Sequence, residues 1–353
     1  VALFGKSKGL VGLDIGSSAI KAVELKAGGK GGAAYQLVNL GLEPLPPEAI
    51  VDGAIMDSGS VIDAIQRLYG SHKIKNGDVA TSVSGNAVIV KKISLPQLSD
   101  EELAESIHWE AEQYIPFDIQ DVALDYEVVE GGGVGGNMDV LLVAAKKDKI
   151  GDYTSVISQA GKNCQVVDVD VFALQNCYEV NYGIDPGRVV ALLNVGASIM
   201  NINIIKGGMS IFNRDIAVGG NQYTDAIQKD LSLSFDQAEA MKKGARVEGA
   251  ENLPPILQAV SENIALEIQK TFDFFKATSS EDRIDRIFMA GGTSKLRGLQ
   301  QLLSDRFDAG VEILNPFNNV TYNPRDFDPD FITEVGPQAA VAVGLAVRKA
   351  GDR

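Results

Sequence analysis

Twice in this chain an apolar strand pattern runs into a turn of small residues and returns as a second apolar strand pattern. Leu10 to Leu25 alternates apolar with small or polar side chains on both sides of Gly16-Ser17-Ser18, and Val189 to Ile205 repeats that outline around Gly196-Ala197-Ser198. The two tips stand about 180 residues apart, which in a chain of 353 residues marks an internal duplication. Asp14, Gly16 and Ser18 of the first copy correspond to Asn194, Gly196 and Ser198 of the second. A composition that is 45% hydrophobic and 22% charged holds enough apolar material for the two cores such a duplication needs.

The rest of the composition narrows the function. Val189 to Leu193 and Val341 to Val347, the longest apolar stretches, are far shorter than the roughly 20 residues that span a bilayer. Val1 to Lys8 is too short for a signal-peptide core, so the chain is expected to stay in the cytoplasm. Cys164 and Cys177 are too few to staple a fold or cage a metal and read as reduced, buried side chains. A net charge of −15 repels phosphate backbones and anionic lipid, which argues against nucleic-acid binding and against a polybasic membrane anchor. His72 and His108 have no second ligand at metal spacing, and no serine lies in a nucleophile elbow, so triad hydrolysis is not expected.

Between the repeats, Ser99-Asp100-Glu101-Glu102 has capping-box spacing, and Leu103, Ile107, Ala111 and Tyr114 recur at helical intervals before Pro116. Strand-like runs at Asn86 to Leu95, Val122 to Val129 and Val140 to Ala145, with a glycine-rich loop at Gly131 to Gly136, complete a small α+β subdomain inserted at about residues 80–150. Farther on, Leu257, Val260, Ile264, Ile268, Thr271 and Phe275 form the buried stripe of a long helix. Ile313 to Asp330 reads as irregular loop, and Gly336-Pro337-Gln338 opens a final helix of small residues able to pack closely beneath a site.

Phosphate oxygens are bound by backbone N–H groups at tight turns, and Gly16-Ser17-Ser18 supplies one. Asp14, just before it, is placed to hold Mg²⁺ through water, because magnesium keeps several waters and takes few protein ligands; Lys21 is within reach of a phosphate. A single such turn is weak evidence. Its repeat, together with a third glycine turn at Gly291-Gly292-Thr293-Ser294-Lys295 after the apolar run Ile287 to Ala290, makes a clasp around a nucleotide the better reading.

Three glycine turns in this order resemble the actin, sugar-kinase and heat-shock chaperone superfamily. The resemblance implies a duplicated α/β, actin-like (ribonuclease-H-like) fold with ATP or ADP and Mg²⁺ between two domains. Those domains are expected at residues 1–186 and 187–334, the second with a helical/β subdomain at about 225–284, and residues 335–353 return as a helix to the first. It implies phosphate contacts from Ala197, Ser198 and the pair Gly219-Gly220, and ribose or adenine contacts from Glu239 and Lys242 in Ala-Glu-Ala-Met-Lys. From spacing alone, Gly219-Gly220 is equally a plain turn and Glu239–Lys242 equally a helical surface ion pair. The first connecting segment is Val166 to Ala173, where the superfamily places the residue that positions the attacking water; Asp170 is the candidate and Asp168 the second choice. Asn194 stands where the superfamily has an aspartate, and a neutral amide attracts Mg²⁺ less, so ATP hydrolysis is expected to be slow or absent.

Within the superfamily, Val88 to Pro96 and the helix ending Tyr114-Ile115-Pro116-Phe117-Asp118 resemble the inserted subdomain of the PilM family of type IV pilus assembly proteins. FtsA has a related insertion but ends in an amphipathic membrane-targeting helix, and GspL continues into a transmembrane span; the end at Val347 to Arg353 favours PilM over both. The resemblance implies a scaffold at the cytoplasmic face of the inner membrane that binds the N-terminal cytoplasmic peptide of PilN. It would touch the membrane only through that partner and have scope for self-association. Trp109, Ile107, Tyr114, Ile115 and Phe117 are candidates to line the peptide groove. The alternatives are an FtsA-like filament-forming ATPase, a cytoplasmic fragment of a GspL-like protein, or a small-molecule kinase.

Overall fold

A computed structural model describes residues 9–28, 33–129, 136–245 and 250–352. The first hairpin is β1 (Val11–Ile15) and β2 (Ala19–Ala27), followed by β3 (Tyr35–Pro44), a short hairpin of β4 (Ile50–Val51) and β5 (Ala54–Ile55), helix α1 (Ser58–Ser71) and β6 (Asp78–Val83). β7 (Val88–Pro96), α2 (Asp100–Glu112), β8 (Val122–Val129) and β9 (Asn137–Lys146) come next, then α3 (Lys147–Gln159), β10 (Asn163–Val169) and α4 (Asp170–Tyr182). The second hairpin, β11 (Val189–Val195) and β12 (Met200–Lys206), is followed by β13 (Met209–Ile216) and helices α5 (Gly220–Leu231), α6 (Phe235–Lys242) and α7 (Leu253–Thr278). The chain ends through β14 (Arg286–Ala290), α8 (Leu299–Arg306), β15 (Gly310–Ile313), β16 (Val320–Thr321), α9 (Pro329–Val335) and α10 (Ala340–Ala346).

The duplication read in the sequence is a duplication of topology. The first sheet runs β10-β6-β1-β2-β3-β16 and the second β15-β14-β11-β12-β13. In each, the hairpin strands and the third strand pair antiparallel, while the two later strands join in parallel. Parallel neighbours need crossovers; α1 and α3 serve the first sheet, and α5–α7 and α8 the second. β16, inside the stretch expected to be loop, instead pairs with β3 at Val320–Tyr35 and Thr321–Gln36 and closes the first sheet's edge.

Between the sheets lie α4 and α10. One apolar core joins Val23 and Leu40 of the first sheet, Leu174 and Cys177 of α4, Val343 of α10, and Leu192 and Phe288 of the second sheet. At about 1.5–3 kcal/mol for each buried aliphatic or aromatic side chain, this shared core fastens the two halves to a common pair of helices. Small residues let α10 in: a Cβ on Gly344 would meet the Ala173 carbonyl oxygen at 1.6 Å, and one on Gly12 the Ala342 oxygen at 2.0 Å.

The insert stands as its own unit. Its sheet runs β7-β9-β8, and α2 buries Leu103, Ile107 and Ala111 on one face with Ile93, Val140 and Leu142. The capping box at Ser99 and Glu102 is formed in both directions, each such cap stabilising a helix start by about 1 kcal/mol. The glycine-rich loop expected before β9 lies, apart from Gly136, outside the described residues. Of the side chains expected to line a groove, Ile107 and Ile115 are buried in the insert's own core, Tyr114 and Phe117 are partly covered beneath Lys91 and Lys146, and Trp109 is 73% exposed. Alternation on α2 explains the correction, since Ile107 lies on its inward stripe and Trp109 outside it.

Candidate nucleotide cleft

The two turns are closed by the same backbone hydrogen bond. Gly16 N–H donates to the Ala19 carbonyl at 3.2 Å and Gly196 N–H to the Ile199 carbonyl at 3.0 Å. Both tips keep some solvent contact while the strands that present them are mostly buried. Their flanks differ. Asp14 faces Lys21 across the first hairpin and pairs with it at 3.1 Å. At the same register of the second hairpin Asn194 donates to Asn201 at 2.9 Å, and Asn201 donates onward to Asp215 of β13 at 2.8 Å.

The second turn is the meeting point of the other expected residues. The Gly196 carbonyl accepts from Gly220 N–H at 2.9 Å and from the Thr293 hydroxyl at 2.8 Å, and Asn221 N–H reaches the Ala197 carbonyl at 2.8 Å while its amide reaches Ser198. Gly219 leads into α5, and Lys242 of α6 donates to the Gly220 carbonyl at 3.1 Å and the Thr224 hydroxyl at 2.9 Å. Glu239 accepts from Thr224 at 2.7 Å and pairs with Lys242 at 2.5 Å. Burial by itself would raise the Glu239 carboxyl; hydrogen bonding and charge from Lys242, with Thr224 and Lys243, outweigh it and hold Glu239 below its usual value. The pair is therefore a part-buried fixture under the glycine turn and not a surface ion pair.

Gly291-Gly292-Thr293-Ser294-Lys295 forms the third turn, following β14. Gly291 has φ +84°, and a Cβ there would sit 2.3 Å from the Val195 oxygen, so glycine is required on both counts. Its N–H is held by the Pro337 carbonyl at 2.7 Å, which ties the turn to the segment opening α10; Ser294 closes back on the Gly291 carbonyl and Lys295 extends toward Glu334 at 3.7 Å.

Asp170 begins α4 and accepts a 2.5 Å hydrogen bond from Ser82 at the end of β6. Burial first, and then the Asp14 charge, push its carboxyl up to about 6, against the opposing hydrogen bonds of Ser82 and Ser84. Asp168 does not share this position. It lies on β10 and pairs with Arg348 at 3.0 Å, whereas Asp170, two residues on, is past the end of the strand and opens α4, so the backbone no longer holds the two carboxylates on one face. It is thereby removed as a second candidate.

Sequence reasoning missed Asp215 and Lys149. Asp215 is raised by burial, against hydrogen bonds from Asn201 and from the Gly85 N–H at 2.6 Å. Lys149 of α3, also buried, has its ammonium lowered by burial against the charges of Asp170 and its acidic neighbours, and donates to the Gly53 carbonyl. One signal was available: Asn201 and Asn203 interrupt an otherwise apolar strand, and both are fully buried, where an amide needs partners. Asn203 spends its amide on the Val171 carbonyl at 3.0 Å and on Gln175, pinning β12 to α4.

The sequence model of the type IV pilus assembly protein PilM matches residues 12–350. The chain belongs to this family. Among solved structures, the PilM-PilN type IV pilus biogenesis complex matches with a TM-score of 0.86 and 28% identity over 98% of this chain and 99% of that one. The cell division protein FtsA of Pseudomonas aeruginosa is 23% identical over 376 residues, covering 93% of this chain and 88% of its own. MreB5 of Spiroplasma citri bound to AMPPNP, at 13% identity and a TM-score of 0.54 over 96% of this chain and 95% of that one, shares the actin-like fold. No helix among the described residues is long and apolar enough to cross a membrane.

Proposed function

We propose that this family member is a nucleotide-holding scaffold of the type IV pilus machinery. On this reading it works at the cytoplasmic face of the inner membrane and binds the cytoplasmic N-terminal peptide of a PilN-like protein. The observation that carries the reading is the end-to-end match to a PilM chain described in complex with PilN. Two actin-like domains, 1–186 and 187–334, with 335–353 returning to the first, would then close on the nucleotide.

The residues present fit a nucleotide. Both turns are built of small, partly exposed residues, Asp170 feels the charge of Asp14 beside the first, Thr293 of the third turn donates to the Gly196 carbonyl, and Lys242 donates to the Gly220 carbonyl. Phosphates would lie between Gly16-Ser17-Ser18 and Gly196-Ala197-Ser198, with Gly219 and Gly220 behind them and adenosine between Lys242 and Gly291 to Lys295. The metal has less to hold it. Among the described residues no group of three or more His, Cys, Asp or Glu is arranged for an ion, and Asp14 already pairs with Lys21. Mg²⁺ would therefore arrive with the phosphates and meet Asp14 through water. A bound triphosphate supplies a hydrolysable phosphoanhydride, and Asp170 would orient water toward it. Slow or absent turnover is favoured by the second turn, which offers the neutral Asn194 where a carboxylate would hold the metal's water shell.

The peptide is proposed to dock on the insert, where β7 and β8 are both sheet edges able to accept an extended strand. Trp109, the single tryptophan, is 73% exposed on α2 and reports on that subdomain. A synthetic PilN N-terminal peptide is expected to shift its emission saturably, with ATP consumption no faster than the uncatalysed background. Absence of any peptide binding by calorimetry, or turnover of many ATP per minute, would remove the scaffold reading.

A further inference from the structure

Phosphate contacts hold a nucleotide whatever its base, so a preference among bases needs a side chain with hydrogen-bonding capacity to spare. Around the third glycine turn most of that capacity is already used. Lys242 gives its ammonium to the Gly220 carbonyl, the Thr224 hydroxyl and Glu239, and Glu239 is in turn occupied by Thr224, Lys242 and Lys243. The Thr293 hydroxyl donates to the Gly196 carbonyl and the Ser294 hydroxyl to the Gly291 carbonyl. Lys295 carries donors only, and its ammonium leans toward Glu334. These groups wall the expected adenosine position and tie its sides to one another.

Gln338 stands apart from this network. It lies in the segment that opens α10, half-buried between Pro337 and Ala339, which are both buried. Its backbone is fixed against the third turn, because the neighbouring Pro337 carbonyl holds the Gly291 N–H at 2.7 Å. Its side chain reaches over the same turn: Cγ and Oε1 lie 3.6 Å, and Cδ 3.7 Å, from where a Cβ on Gly292 would be. Gly292 is exposed, so the amide overhangs bare, solvent-facing backbone. Among the described residues that amide has no hydrogen-bond partner. One acceptor and two donors are therefore held beside the turn on a fixed base, unspent.

We infer that Gln338 selects the nucleobase, its amide accepting from the N6 amino group of adenine and donating to N7. The inference rests on the nucleotide reading above, whose third turn supplies the adenosine position. Side-chain amides pair by two bonds with this edge of adenine, which sets a donor beside an acceptor. Guanine sets two acceptors, O6 and N7, on the same edge, so the Gln338 oxygen would face O6 unpaired. An arginine in this place has donors only and suits guanine. The side chain thus decides which purine is held, while the glycine turns hold the phosphates common to both.

The test measures, by calorimetry on the full chain, the affinities for ATP, GTP and 7-deaza-ATP with Mg²⁺ present, with a thermal melt of each variant to confirm that it folds. The parent is expected to hold ATP roughly 10–100-fold more tightly than GTP, and to lose about 10-fold on 7-deaza-ATP, in which carbon replaces N7. Gln338→Leu, which keeps the bulk and removes the amide, is expected to bring both ratios to about 1, and Gln338→Arg to favour GTP. A parent that binds ATP and GTP equally, or a Gln338→Leu variant that keeps the parental ratio, overturns the inference and leaves the nucleotide reading standing. So does a folded Gln338→Leu variant that loses ATP and GTP alike, since the side chain would then shape the cleft and read no base. Failure of the parent to bind either triphosphate overturns the nucleotide reading and the inference together.

Discussion

Gly344→Ala is the substitution whose cost the structure states most directly. The added methyl would lie 1.6 Å from the Ala173 carbonyl oxygen, where ordinary contact begins at about 3.4 Å, so α10 and α4 must separate by roughly 1.8 Å. That relief is blocked. The opposite face of α10 rests on β1, where Gly12 leaves no spare room: even its missing Cβ would lie 2.0 Å from the Ala342 oxygen and 2.6 Å from the Ala346 nitrogen. Overpacking of this kind costs about 1–3 kcal/mol and more where backbone meets backbone, against a gain of up to about 1 kcal/mol from replacing a helical glycine. A net loss of about 3 kcal/mol is expected, a fall in melting temperature of roughly 4 °C. Gly151→Ala is the internal control. It lies exposed in α3 with nothing within 4 Å of its added methyl, so the propensity term acts alone and stability should rise by about 0.5–1 kcal/mol. Thermal melts of the two variants should therefore shift in opposite directions. Nucleotide binding should weaken only in Gly344→Ala, because α10 is tied to the third turn through the Pro337 carbonyl and Gly291. A Gly344→Ala protein melting with or above its parent would refute the reasoning.

Asp170→Asn should stabilise the protein at pH 8 and not at pH 4. The native carboxyl titrates at about 6 against an ordinary 3.8, so the folded state binds more protons in that window and stability falls as pH rises through it. About 2 units correspond to nearly 3 kcal/mol, reduced to about 1–2 because the group keeps some solvent contact; a gain independent of pH would contradict this. Gly291→Ala, forced to φ +84° and into the Val195 oxygen, should abolish binding of a fluorescent ATP analogue, whereas unchanged affinity would place adenosine elsewhere. Asp168→Ala, which removes the more buried of the carboxylates around Arg348 while Asp352 remains, should cost about 1–2 kcal/mol in urea unfolding yet change nucleotide affinity less than about 2-fold.

The sequence carried the fold wherever a periodic pattern or a repeat recorded it. The two hairpins, the capping box at Ser99 and the stripe on α7 were legible because each is a local rule repeated along the chain. What escaped was set by pairings distant in sequence. β16 is two residues in a proline-punctuated tail and becomes a strand only because β3 offers an edge. Asp215 stands in a half-exposed strand with nothing local to distinguish it, and its partners are 14 and 130 residues away. Spacing alone does not separate Asp168 from Asp170, because the strand ends between them and α4 begins at Asp170. The groove residues on α2 were named as a group, although the helical stripe buries Ile107 and leaves Trp109 outside.

The two halves place unlike chemistry on like positions, and the difference has a direction. In the first, Asp14 pairs with Lys21 on the second strand, and Lys21 faces Leu42 on the third, so the charge pair ends against an apolar side chain. In the second, the corresponding three positions are Asn194, Asn201 and Asp215. The carboxylate has moved two strands away from the phosphate turn. There it is too remote to organise a metal beside the turn, and its second oxygen is spent on Gly85. A carboxylate so placed contributes little to phosphoryl transfer and a good deal to holding one half against the insert. The same replacement that lowers the expectation of hydrolysis therefore supplies a contact that holds the second half against the base of the insert.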